Sequence, residues 1–480
     1  MNTLPMRWMV LVLCVCGAWA GFGRDKTAAR LEKVYHALRE SVVELKYVQE
    51  FSYGSQTHKM EGSACGLVVG KDGLVMFSGS IVSPPDFGRR GGWEREKPKD
   101  YKIVLSDDTE LFADYVGMDE DSNMAFVRVR YATDARQLIP VAFSKKKSLT
   151  LGDEVVVVGL LPKRYTPNRK FQTARINAEI AKPTHLYGTT VSLIEDLGAP
   201  VATLEGDVVG VVGMESDLDL DESSLMSALS GSRSSGLSSM LGGFVIPAHA
   251  YAPLLLAPPR DEETRQGWLG VTLQALDKDT ADYLEVPGRA GIYITRVMKD
   301  SPAARAGIAA EDVLIQLDGQ PLEVKKPEDL VVFQRAMRRK SPGEKVTFTV
   351  YRDKATLQTT VVLGDAPKKA QDAEKFKSGP LGLTVRELVL TDVLDMNLSD
   401  EQKGVVVQIV ESGGAAELAE MEPMDVVQQL DGKPVESIAH YKEVYNALAK
   451  DKKEEVLLLV LRDGNETKFI RIKPDWSEKD

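Results

Sequence analysis

The strongest constraint in this sequence is an internal repeat. Residues 291–323, GIYITRVMKDSPAARAGIAAEDVLIQLDGQPLE, align without a gap on residues 404–436, GVVVQIVESGGAAELAEMEPMDVVQQLDGKPVE, at an offset of 113 and with twelve of thirty-three positions identical. A period this long, present twice, means duplicated globular domains, because solenoid repeats are shorter and more numerous. Each copy carries short apolar runs around an Ala-rich stretch. Each also carries a Leu-Asp-Gly-x-Pro segment, at 317–321 and 430–434, and its Asp-Gly step marks a tight turn between strands. A second helix is predicted at 327–339 and at 437–449, followed by two closing strands. Ala366–Ser378, rich in Lys, Ala and Asp, reads as the linker between the copies.

The N-terminal half has a different rhythm. Ala28, Leu31, Val34, Tyr35 and Leu38 fall at helical spacing within 25–45, before Ser41-Val42-Val43 opens a strand. From there to about 256 the chain shows short apolar strands broken by Gly, Asp and Pro, such as Gly66–Val69, Lys102–Leu105, Ala125–Val129, Glu154–Gly159 and Val208–Val212. No long helical period interrupts them, which predicts an all-β barrel or sandwich. Two segments depart from this: a polar loop at 84–100, and an insertion at 214–243 that is acidic and then Ser/Gly-rich. Both read as solvated loops, and the competing reading is a lid over the site described below.

Composition narrows the class. A length of 480 residues suggests two to four domains. Lys plus Arg at 60 against Asp plus Glu at 71 gives a net charge of −11, which disfavours nucleic acid or an anionic membrane as partner. Arg7, the thirteen-residue apolar run Trp8 to Ala20 and the Ala18-Trp19-Ala20 end form an export signal over 1–20. That run is short of the ~20 residues that span a bilayer. Cleavage removes Cys14 and Cys16 and leaves Cys65 alone, so no internal disulfide and no cysteine metal site are expected. His36, His58, His185, His249 and His440 show no metal-binding spacing. No metal and no cofactor are expected.

Three segments carry the chemistry of the N-terminal half. They are Asp72-Gly73-Leu74-Val75-Met76-Phe77-Ser78-Gly79-Ser80-Ile81-Val82, then Gly117-Met118-Asp119-Glu120-Asp121-Ser122-Asn123-Met124-Ala125-Phe126-Val127, then Glu195-Asp196-Leu197-Gly198-Ala199-Pro200. In this order, and followed by two PDZ-like modules, they resemble the HtrA/DegP family of periplasmic serine proteases. The resemblance implies a mainly β chain: a trypsin-like double β-barrel at 25–256, then two PDZ (α+β) domains at 262–365 and 379–475, joined by 366–378. It places Ser80 where the family's His general base stands, Asn123 where its orienting Asp stands, and Leu197 where its nucleophilic Ser stands. A triad needs a nucleophile, a base that titrates near neutrality and a carboxylate to orient it. Glu195 replaces a family Gly at an oxyanion-hole position, where donors aimed at developing charge are worth about 10²–10³ in rate.

These replacements lead to two expectations. The first is a catalytically silent homologue, not an enzyme. It would hold unfolded polypeptides or protein C-termini as a chaperone, adaptor or scaffold, beside active HtrA-like relatives and as a homo-oligomer, a trimer by resemblance. The alternative is an active serine endopeptidase with a relocated or non-standard site, for instance one using Ser80. In either case the PDZ resemblance assigns peptide binding to Trp268, Leu269, Gly270 and Val271 in the first module and to Leu381, Gly382 and Leu383 in the second. There a tight loop points N–H groups at a C-terminal carboxylate, and the following strand offers its edge. Gly307 in the first copy faces Glu420 in the second, which predicts a changed helix end.

Overall fold

A computed structural model describes residues 26–53, 56–83, 93–144, 148–162, 165, 168–214, 243–260, 265–286 and 290–477. The export segment expected at 1–20, most of segment 84–100 and most of insertion 214–243 lie outside them. Helix α1 (Lys26–Leu38) leads into strands β1 (Val42–Tyr53), β2 (Gln56–Val68), β3 (Leu74–Ser78), β4 (Trp93–Arg95), β5 (Lys99–Val104), β6 (Glu110–Asp119) and β7 (Met124–Val129). Six of these run β2-β3-β7-β6-β5-β1 and close through β1–β2 pairing, with β4 appended to β1. After the short α2 (Ala132–Ala135), strands β8 (Glu154–Leu160), β9 (Arg169–Ile180), β10 (Leu186–Thr189), β11 (Pro200–Thr203), β12 (Val208–Gly213) and β13 (Phe244–Pro247) close a second barrel. Helix α3 (Ala248–Leu256) ends this half.

The central strands explain why the two barrels form one body. β3 is buried along its whole length. A strand's side chains alternate between faces, so Val75 and Phe77 fill the first barrel while Leu74 and Met76 face the other way, into a core shared with Val155–Val158 and Val211. β7 does the same: Ala125 and Val127 point inward, while Met124 and Phe126 join the shared core. Burying each such side chain stabilises by about 1.5–3 kcal/mol. The predicted helix is α1, whose Val34 and Leu38 seal the second barrel.

The duplicated modules follow. The first contains β14 (Gly267–Trp268), β15 (Val271–Ala275), α4 (Lys278–Tyr283), β16 (Ile292–Val297), α5 (Pro302–Arg305), β17 (Val313–Leu317), β18 (Gln320–Pro321), α6 (Pro327–Arg338), β19 (Lys345–Arg352), β20 (Ala355–Val362) and β21 (Gly364–Asp365). The second contains β22 (Lys375–Ser378), β23 (Leu383–Glu387), α7 (Leu390–Asp395), β24 (Val405–Val410), α8 (Ala415–Leu418), β25 (Val426–Leu430), β26 (Lys433–Pro434), α9 (Ile438–Asp451), β27 (Val456–Arg462) and β28 (Glu466–Ile472). The repeated Asp-Gly steps are two-residue hairpin turns. Leu317 pairs with Gln320 and Leu430 with Lys433, and Asp318, Gly319, Asp431 and Gly432 all have positive φ, as a type I′ turn requires.

Each copy also carries a bidentate pair on a buried aspartate, with Arg462 buried too and Arg352 partly exposed. Arg352 grips Asp312 at 2.5 and 2.6 Å, and Arg462 grips Asp425 at 2.8 and 2.6 Å. The ends of α5 and α8 match as well: Gly307 has φ +82° and Glu420 φ +59°. The left-handed cap therefore survives, and Glu420 carries the strain that glycine avoids.

Candidate active site and peptide groove

The three sequence segments converge between the barrels. β3 ends at Ser78, and Gly79–Ile81 forms a single 3₁₀ turn that carries Ser80. Asn123 closes the β6–β7 turn in the left-handed region, φ +53°, where Asn is among the tolerated residues. The Gly79 N–H donates to the Asn123 carbonyl at 2.7 Å. A Cβ at Gly79 would lie 2.6 Å from Asn123 Oδ1, so the glycine lets the two segments touch. The third segment arrives through the 3₁₀ turn Ile194–Asp196. Gly198, φ +88°, lies so close to the end of β3 that a Cβ there would be 3.5 Å from the Ser78 nitrogen and 2.6 Å from the Cys65 carbonyl.

The side chains at this junction are hydroxyls, amides, carboxylates and one ammonium. Ser78 and Ser80 share a hydrogen bond, Oγ to Oγ, at 2.8 Å. Asn123 is buried and donates through Nδ2 to the Met214 carbonyl at 3.5 Å. Leu197 is half-buried and packs on the shared core. Glu195 projects into solvent, its side chain 88% exposed, with Lys170 Nζ 3.9 Å away. Its carboxylate is therefore screened by water and by a cation. Sequence reasoning missed the neighbour that matters more. Asp196 is 1% exposed, Lys170 Nζ lies 3.2 Å from its Oδ1, and Gln172 Nε2 donates to its Oδ2 at 2.7 Å. Burial lifts the Asp196 carboxyl above its usual range, opposed by Lys170. Burial and the nearby Asp196 charge push the Cys65 thiol up to about 12.

The histidines sit elsewhere. His36 lies on α1, His58 on β2 and His440 in the first turn of α9. His185 and His249 face each other with ring centroids 5.4 Å apart, and His185 contacts Glu179 at 3.1 Å. Among the described residues no group of three His, Cys, Asp or Glu is placed to hold a metal ion.

The residues expected to bind peptide fall into two different settings. In the first module Trp268 ends β14, Leu269 is buried, and Gly270 turns the chain at φ +82° into Val271, the first residue of β15. A Cβ on Gly270 would lie 2.2 Å from that of Ser301. The Leu269 and Gly270 carbonyls accept from Ala303 and Met298, both at 3.0 Å, which fixes the loop. Among the described residues β15 pairs only with β16, and α6 packs beside it, so the other edge of β15 has no described strand on it. In the second module Leu381 and Leu383 are fully buried and Gly382 has φ +68°. There the edge of β23 pairs with β22.

The first module is also tied to the barrels. Asp121, 8% exposed, accepts from Arg338 at 3.1 Å and Arg339 at 2.7 Å on and beside α6. The Asp121 contacts place α6 against the turn that carries Asn123, while Lys182 pairs with Asp329 from the β9–β10 connection and Lys369, after the first module, meets Glu120.

Fold and geometry together define a trypsin-like peptidase domain followed by two PDZ domains. The Trypsin-like peptidase domain model matches residues 64–211, and the PDZ domain model matches 267–363 and 384–471. Curated relatives include probable periplasmic serine endoproteases, DegP-like, from three organisms. That of Hahella chejuensis is 28% identical over 88% of this chain and 81% of its own length; that of Ectopseudomonas mendocina is 26% identical over the same shares. The third, from Chlamydia pneumoniae, is 24% identical over 84% of this chain and 76% of its own. Among solved structures, the HtrA-type protease AlgW with decapeptide superposes at a TM-score of 0.52 with 18% identity, covering 71% of this chain and 99% of that one, and so shares the fold. This chain belongs to the HtrA/DegP-like family.

The family placement corrects one expectation. The loss of triad residue types at positions 80, 123 and 197 pointed to a protein that is not an enzyme. The relatives matched along nearly the whole chain are named serine endoproteases, and the peptidase domain matches its family model. The non-enzyme reading is therefore withdrawn. The misreading came from equating one arrangement of His, Asp and Ser with the activity of the class.

Proposed function

We propose that this chain is a periplasmic serine endopeptidase of the HtrA type. In this reading it captures polypeptide C-termini through its first PDZ module and works with a non-standard catalytic site. The observation that carries the capture half is the edge of β15, behind the fixed Leu269-Gly270 turn, that no described strand pairs with. An extended peptide adds a strand there, its carboxylate meets the loop N–H groups, and its last side chain enters the pocket formed by Trp268, Leu269 and Val271. Export by a cleaved segment at 1–20 accords with the periplasmic naming of the relatives. The boundaries 25–256, 262–365 and 379–475 are proposed as the folding units, with β22 from the 366–378 segment added to the sheet of the last, and homo-oligomerisation is proposed from the family.

The catalytic half rests on the family's named activity and on the hydroxyls gathered at the barrel junction. Position 197 offers no nucleophile; among the described hydroxyls there, Ser122 is bound to Asp119, and the Ser78–Ser80 pair is the candidate. The test uses purified residues 21–480 with a fluorophosphonate and with reduced, unfolded casein. Labelling at Ser80 or Ser78, with casein cleavage lost in Ser80→Ala, supports this reading. Neither labelling nor cleavage above buffer overturns it.

A further inference from the structure

The two PDZ modules present their grooves differently, and the difference lies in the segment between them. Lys375–Ser378 forms β22 and pairs antiparallel with β23: Lys375 with Arg386, Phe376 with Val385, Lys377 with Thr384, and Ser378 with Leu383. β23 is the strand that follows the carboxylate loop, and antiparallel addition to its edge is how a peptide would dock. β22 also packs against α9, the helix on the groove's other wall. The ring of Phe376 stands edge-on to Tyr445 at 5.3 Å and to Tyr441 at 6.0 Å. Lys442 Nζ lies 5.6 Å over the same ring and pairs with Glu374 at 2.5 Å. Ser378 Oγ bonds Tyr441 Oη at 3.1 Å, and Lys377 Nζ reaches Glu411 at 3.3 Å.

The far end of this strand is equally telling. A bound peptide ends in a carboxylate at the loop, whereas here Ser378 runs by a peptide bond into Gly379, and the Gly382 N–H turns back to the Gly379 carbonyl at 2.7 Å. We propose that Lys375–Ser378 is a built-in ligand that fills the second module's groove, leaving the first module as the chain's open peptide receptor. Because its ordering is already met within the folded chain, an external peptide must displace a tethered competitor whose effective concentration is of order millimolar or above. The inference rests on the reading that the first groove captures C-termini, but it is separable from it.

The experiment uses residues 21–480 and a decapeptide ending in Val with a free carboxylate and a benzophenone side chain, with crosslinks mapped by mass spectrometry. With the intact chain, crosslinks should fall on the first module around 268–275 and 330–337 and not on 383–387 or 441–448. In Phe376→Asp, crosslinks at 383–387 and 441–448 should rise at least tenfold. Hydrogen exchange on the intact chain gives an independent check, since amides of 375–378 and 383–387 should be protected together. Crosslinking of the second groove in the intact chain, unprotected exchange at 375–378, or a folded Phe376→Asp chain with no gain would overturn the proposal. Absence of crosslinks on the first module alone would instead count against the capture reading.

Discussion

Asp196 carries the most informative charge at the barrel junction. It is almost wholly buried beside Lys170 and Gln172, and its folded-state pKa lies above the unfolded value of about 3.9. The folded state therefore binds this proton more tightly than the unfolded state. Its contribution to stability falls as pH rises from the unfolded pKa through the folded one, and the deficit is complete above the latter. Asp196→Asn keeps the shape and removes the titration. The melting-temperature difference, Asn variant minus wild type, should thus be more positive at pH 7 than at pH 4. A difference that is flat or reversed with pH would show that Lys170 fully compensates the burial. Cys65, with its thiol pushed up to about 12 in the same core, should resist Ellman's reagent at pH 8 in the folded chain. It should react stoichiometrically in guanidinium; fast labelling of native protein would mean that the shared core opens.

Among the elements, the paired modules show what a sequence reveals and what it hides. The Asp-Gly turns at 318–319 and 431–432 were legible because a two-residue hairpin demands positive φ at both positions. Gly270 and Gly382 were legible for the same kind of reason. β22 was not: Lys375-Phe376-Lys377-Ser378 is four residues long and mostly polar, and only Phe376 hints that one face is covered. The Asp312–Arg352 and Asp425–Arg462 pairs were also missed, although both aspartates are identical within the repeat. A shared aspartate names no partner until the chain is folded. Breaking a buried pair from one side leaves an uncompensated charge and costs about 3–5 kcal/mol. Arg462→Met should therefore lower the stability of the second module by that amount in urea unfolding followed by Trp476 fluorescence. A loss under 1 kcal/mol would mean that water reaches Asp425.

For the whole molecule, the order of parts was readable and their docking was not. Three segments and a repeat were enough to expect a double barrel and two PDZ modules. The contact of α6 with the Asn123 turn depends on Asp121, Arg338 and Arg339, which are far apart in sequence and give no periodic signal. Asp121→Ala removes the shared acceptor from two guanidinium groups at once. The first module should then swing away, raising the radius of gyration in small-angle scattering, while far-UV circular dichroism stays unchanged. An unaltered scattering curve would mean that the remaining contacts, among them Lys182–Asp329, Arg335–Thr184 and Gln266–Glu120, hold the module in place.

Capture of a free C-terminus by the first module is the central functional proposal for this protein. Its most direct test is calorimetric titration of residues 21–480 with two matched peptides ending in an apolar residue, one a carboxylic acid and one an amide. Docking orders a flexible peptide, so the acid should bind with a dissociation constant on the order of micromolar, about −8 kcal/mol. The amide lacks the charge that the loop donors meet, and charge-assisted bonds are the stronger kind, so it should bind at least tenfold more weakly. Equal affinity for the two forms would contradict the account.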